Sequence, residues 1–184
     1  YLLPQTWLED KIRQWPVILD PVVQPALSTS NICDCEVSEN ISGNYYLGQT
    51  LTAGRNATDG KKQFYLKYAS LPALNPSDVV VEATIKLKVI ETRYTPNVEV
   101  HKVLGTWESN TITWANKPAY DPIVVDYNAP ISNTLWDQWI ITDIVRDWYA
   151  TGNTGMLFKA SDSVEVAGTT VRHASLHNAD EIAR

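Results

Sequence analysis

Residues 79–89 read VVVEATIKLKV, in which Val81, Ala83, Ile85, Leu87 and Val89 alternate with Glu82, Thr84, Lys86 and Lys88. Successive side chains of a strand point to opposite faces, so this alternation predicts a strand with one face buried and the other wet. The same period sets Phe64, Leu66 and Tyr68 against Tyr65 and Lys67, and Met156, Phe158 and Ala160 against Leu157 and Lys159. Val98 and Val100 mark a further strand, and Thr169 to Ala174 another. Between them lie stretches rich in turn formers, among them Leu71 to Asp78 with two prolines and Ala115 to Pro122.

One helix interrupts the series. In WIITDIVRDWYATGN, residues 139–153, Ile144, Val145, Trp148 and Tyr149 share a face. Thr142 is the expected N-cap, Asp143 stands in the first turn and Gly152 is the expected stop. Upstream, WLEDKIRQW (7–15) fits a short helix that Pro16 ends, followed by an extended stretch between Pro16 and Pro21. The expected fold is all-β: an antiparallel, jelly-roll-type β-sandwich with one short helix, preceded by a short N-terminal helical or linker segment. The division is 1–25 for the linker and 26–184 for the sandwich. No internal repeat points to a solenoid or propeller.

Composition narrows the partners. The 184 residues suffice for one core. Fifteen basic residues against 21 acidic ones give a net charge of -6 with no basic block, which argues against nucleic acid. No apolar run approaches the ~18 residues that a membrane helix needs, so membrane insertion is not expected. Tryptophan is the outlier, with seven residues against two phenylalanines and one methionine. Indole rings stack on sugars, but they also anchor small β cores.

The sequence carries no HExxH, GxSxG, Walker or GxGxxG pattern, and no catalytic residue can be named. His173 and His177 have a metal-like spacing, but Thr169 to Ala174 alternates as a strand, and His101 is distant in sequence; the metal reading stays open. No cofactor is required, although Asp121, Asp126, Asn128, Asp162 and Asp180 leave a structural calcium open. Cys33 and Cys35 would share a strand face, a poor geometry for a disulfide, and read as buried free thiols. Rings near turns that could form a platform are Tyr45, Tyr46, Tyr120, Tyr127 and Trp136, and the ligand-binding candidates are Tyr120, Tyr127 and Trp136. In GTWESNTITWANKP (105–118), read as a strand, Trp114 shares its face with Ile112 and is placed in the core, while Trp107 is expected to fold over the sandwich end.

The order TWESNTITWANKP, TDIVRDWYATGNTGMLFKAS and VRHASLHN resembles the DNRLRE-domain family, extracellular bacterial and archaeal β-sandwiches related to a carbohydrate-binding module family. Trp107, Glu108, Thr113, Trp114, Pro118, Thr142, Trp148 and Gly155 carry the match. The front segment WLEDKIRQWPVILDP is similar to an element that precedes such domains in large secreted RHS or YD-repeat proteins. The family's D-x-T reads Ile140-Ile141-Thr142 here, and its closing strand is not found before Arg184, so the domain is expected to lack its last strand. The resemblance implies a non-catalytic interaction or structural module of a large bacterial cell-surface or RHS-type protein, placed outside the cell and contacting that protein's other domains. The alternative is a carbohydrate-binding module for a polysaccharide or cell-wall glycan. A polysaccharide lyase or hydrolase on the same scaffold is the third reading.

Overall fold

A computed structural model of the chain describes residues 23–26, 28, 30–93, 96–129, 136–162 and 169–175. In chain order these form β1 (Ile32–Ser38), β2 (Thr50–Asn56), β3 (Gly60–Tyr68), β4 (Thr84–Arg93), β5 (Val98–Lys102), β6 (Asp126–Asn128), β7 (Trp136–Ile140), α1 (Thr142–Thr151), β8 (Met156–Ala160) and β9 (Thr169–Ala174). The lateral order is β6-β5-β8-β3-β2-β9-β4-β7, all antiparallel, with β1 along the other edge of β3. β3 pairs with β2 only through Gly60–Lys62, and β8 takes over from Gln63. The sheet folds at that point. One half, β1-β3-β8-β5-β6, closes over the other, β2-β9-β4-β7, as a nearly closed antiparallel sandwich. The expected fold class is the one observed.

The dry face of each predicted strand supplies the core. Phe64 and Leu66, Ile85, Leu87 and Val89, Val98 and Val100, and Met156 and Phe158 are all buried in one cluster. Phe64 stacks on Phe158 with ring centroids 4.7 Å apart, and Trp139 meets Phe158 edge-on at 5.0 Å while its indole N–H donates to the Val98 carbonyl. Burying an aromatic while satisfying its polar atom is what makes tryptophan usable here.

Three expectations need correction. β4 begins at Thr84, where pairing with β7 begins, and Val81 stays 61% exposed. The carbonyls of Val80 and Val81 accept from the Arg146 guanidinium instead of from a partner strand, so this end of the alternation has no sheet to bury it. Thr142 is the first helical residue; Ile141 holds the cap position and no side chain caps it, because the Thr142 hydroxyl accepts the Ala83 N–H at 3.1 Å. Gly152 does stop α1, with φ +105 and its N–H donating to the Trp148 carbonyl. Finally, Ser109 to Asn116 is a run of turns, not a strand.

That run covers the outer face of the β1-β3-β8-β5 half. There Cys35, Val37, Tyr65, Val103, Trp107, Ile112 and Leu157 form a second buried cluster. Trp107 is the buried ring, 6% exposed, with its indole N–H donating to the Thr154 carbonyl. Trp114, expected in the core, lies half-buried against this outer cluster with the Lys117 ammonium 3.8 Å from its ring centre. Cys33 and Cys35 are free thiols, and burial pushes Cys35 up to about 12. The linker helix expected at 7–15, together with His177 and Asp180, lies outside the described residues.

Candidate functional site

The outer faces of β5, β6 and β8 meet beside this covered patch. Antiparallel register aligns Tyr127 of β6 with Glu99 of β5, Glu99 with Lys159 of β8, and Lys159 with Gln63 of β3. Cross-strand partners share a face, so one row carries a ring, a carboxylate, an ammonium and an amide. The next outward residue of β5 is His101. Beyond β5 the chain returns antiparallel, Tyr120 bridging Val103 and Asp121 N–H donating to the Lys102 carbonyl, and the Tyr120 ring stands edge-on to His101 at 5.1 Å.

These residues, with Pro122, Val124, Ser161 and Asp162, line a groove of about 320 Å³. Its floor is fixed by ion pairing. Lys159 is only 6% exposed, with its ammonium 2.9 Å from Asp162 and 3.6 Å from Glu99. Burial alone would pull this ammonium down; the bond to Asp162 and the charges of Asp162 and Glu99 outweigh it, so Lys159 titrates above its ordinary value. The same bond holds Asp162 below the usual carboxylate value. Glu99 also faces His101 Nε2 at 3.3 Å, while Nδ1 lies 2.9 Å from the Asp121 carbonyl. Both partners are oxygen acceptors, so the two contacts together fix the orientation of the ring. The rim is apolar and open: Ile123 is 70% exposed and Tyr127 62%.

Of the predicted rings, Tyr120 lines this groove and Tyr127 flanks it in the Glu99 row. Trp136 does not join them. It lies on the outer face of the other half, opposite Lys88, whose ammonium is 5.8 Å from its ring centre. Tyr45 and Tyr46 sit between β1 and β2, also half-exposed. Glu99 and Lys159 were not singled out by sequence reasoning. The available signal was a lone charge in an otherwise apolar strand for Lys159, in MLFKA, and the outward parity of Glu99 between Val98 and Val100, in VEVHK.

Four of the residues considered for metals hold other partners. Asp121 accepts the Ile123 N–H, Asp126 accepts from Tyr127 and Ile140, and Asp162 holds Lys159. His173 points inward, donating from Nε2 to buried Asp137 at 2.7 Å, on the opposite face from His101. Among the described residues no three His, Cys, Asp or Glu converge as a metal site.

A groove of paired polar groups bordered by a half-buried ring, Tyr120, and an exposed one, Tyr127, is suited to holding a hydroxyl-rich ligand in place. The family comparison bears directly on this: the model for carbohydrate-binding module family 96 matches residues 28–182, nearly the whole chain. The chain belongs to carbohydrate-binding module family 96. A family 96 module is a non-catalytic carbohydrate-binding module, which favours the carbohydrate-binding alternative over the spacer reading and over a lyase or hydrolase. A comparison with curated proteins finds no match.

Proposed function

We propose that this module holds a polysaccharide in the groove at Tyr120, and that it does so outside the cell as part of a larger bacterial surface protein of the DNRLRE or RHS type. The observation that carries the site is the outward row Tyr127–Glu99–Lys159 beside Tyr120 and His101. Rings offer flat apolar faces to the C–H side of a pyranose, and the ion-paired floor offers donors and acceptors whose positions are set before the ligand arrives. The extracellular placement rests on the resemblance of the front segment to elements of large secreted proteins.

Affinity gel electrophoresis through hydroxyethylcellulose, arabinoxylan, galactomannan and polygalacturonate tests the site. A stacked ring contributes about 0.5–1.5 kcal/mol, so Tyr120→Ala should weaken retardation roughly two- to tenfold while Trp136→Ala leaves it unchanged. Equal loss in both variants, or none in Tyr120→Ala, removes the groove from consideration. A wild-type chain retarded by no polysaccharide would return the spacer reading.

A further inference from the structure

A second groove, of about 360 Å³, opens where β1 passes beside β2. It shares no lining residue with the Tyr120 groove. Its floor is the outer face of β2 and β9, where the register sets Thr52 opposite Arg172 and Gly54 opposite Thr170. One wall is the ring of Tyr45, 39% exposed, with the Lys62 ammonium 5.5 Å from its centre.

The two grooves repeat one construction. In each, a largely buried lysine is held between two carboxylates: Lys62 lies 2.8 Å from Glu36 and 2.9 Å from Asp59, as Lys159 lies between Asp162 and Glu99. In each, that lysine and a tyrosine both line the groove. In each, exposed apolar residues neighbour the lining residues in sequence: Tyr46 and Leu47 between Tyr45 and Gly48 here, Ile123 between Pro122 and Val124 there. Glu36 is 4% exposed and both its oxygens are committed, one to Lys62 and one to the Thr52 N–H at 2.9 Å. Arg172 is likewise paired with Glu91 at 2.7 Å. Lys62 and Arg172 are thus balanced by Glu36 and Glu91 across the groove. A hydroxyl can share these donors and acceptors at no cost in charge, whereas a carboxylate would add a further negative charge beside Glu36 and Glu91.

We propose that the Tyr45 groove is a second glycan site of the module, taking a sugar ring through its hydroxyls, stacked on Tyr45 and bonded to the threonine and ion-pair floor. The proposal rests on the reading of the chain as a polysaccharide binder but not on the assignment of the Tyr120 groove. Two sites would make attachment to a long or insoluble glycan bivalent.

Amide chemical shifts of the labelled wild-type chain test this directly. The probes are cellohexaose, xylohexaose and mannohexaose, with a galacturonate oligomer as the acidic arm. Shifts at Tyr45, Thr52 and Thr170 with a neutral hexasaccharide are expected, alongside shifts at Glu99 and Ser161. Tyr45→Ala should abolish the first set, keep the second, and lower affinity for the insoluble parent polysaccharide by roughly ten- to a hundredfold. Shifts at the Tyr120 groove alone, shifts at the Tyr45 groove with galacturonate alone, or no shifts there with any probe overturn the proposal. Shifts at the Tyr45 groove alone sustain it and refute the Tyr120 site instead.

Discussion

Trp107→Ala separates a fold residue from a sugar platform. The ring is 6% exposed, meets Tyr65 at 5.5 Å, carries the Lys67 ammonium 4.9 Å from its centre and donates to Thr154 at 3.0 Å. Truncating a buried aromatic to alanine costs about 3–5 kcal/mol, a figure that already contains most of the lost ring contacts. The Thr154 carbonyl loses its indole donor, which adds up to ~1 kcal/mol. Taking ~4 kcal/mol, and about 2–4 °C per kcal/mol for a chain of this size, the melting temperature should fall by roughly 8–16 °C. Trp107→Phe keeps the ring contacts and loses the N–H, so a fall of about 2–6 °C is expected. Because Cys35 lies in the same cluster, its labelling by a thiol reagent should quicken in the alanine variant. Thermal unfolding followed by circular dichroism, with gel retardation on the same samples, supplies the readouts. An alanine variant that melts within ~2 °C of wild type yet no longer binds polysaccharide would refute the reasoning and make Trp107 a ligand contact.

Gly155 has φ +84, and a Cβ there would stand 2.9 Å from the Leu66 carbonyl and 3.1 Å from the Trp107 indole nitrogen, so Gly155→Ala should cost roughly 2 kcal/mol in a denaturant titration. Gly43→Ala, with open space around the new methyl, should stay within about 0.5 kcal/mol. Asp162 is held below its ordinary 3.8 and Lys159 above its ordinary 10.5, so the stabilisation from their pair is complete between those values. It is lost as pH falls through the lowered Asp162 value or rises through the raised Lys159 value, and a pH series of thermal unfolding should show the loss at those two ends. Burial raises Cys35 to about 12 and also raises Cys33, so alkylation of the folded chain by iodoacetamide near pH 8 should be far slower than that of the unfolded chain, by mass spectrometry.

The parts of the fold that show in the sequence are those where the buried face is uniformly apolar. IKLKV, FYLKY and MLFKA declare their faces because every inward position holds a hydrocarbon. WDQWI does not. Its inward residues are Asp137 and Trp139, and its outward ones include Trp136 and Ile140 at 37% and 52% exposure. An aspartate in a core reads as surface until its partner is known, and that partner, His173, is supplied by β9. The same limit hides the sites. Tyr120 and Tyr127 could be named as rings near turns, but Glu99 and Lys159 become neighbours only through the β5–β8 register, which no single strand records.

Register also explains why the grooves lie where they do. An open sandwich leaves strand edges with unpaired N–H groups at its seams, and something must satisfy them. At the β1–β2 seam Glu36 accepts the Thr52 N–H, and at the β6–β7 seam Asp126 accepts the Ile140 N–H at 2.7 Å. A carboxylate can close an edge without adding a strand over it, so the surface beside each seam keeps its polar atoms and stays open. The Tyr45 groove lies on the first seam, and the Tyr120 groove lies next to the second. Loop 105–118, by contrast, lies over the outer cluster of Cys35, Val37, Tyr65 and Leu157, tied down where Asn44 donates to the Ser109 and Ile112 carbonyls, and there tryptophan can be buried. That is why the chain's two most conspicuous rings, Trp107 and Trp114, belong to the fold, while less conspicuous tyrosines border the grooves.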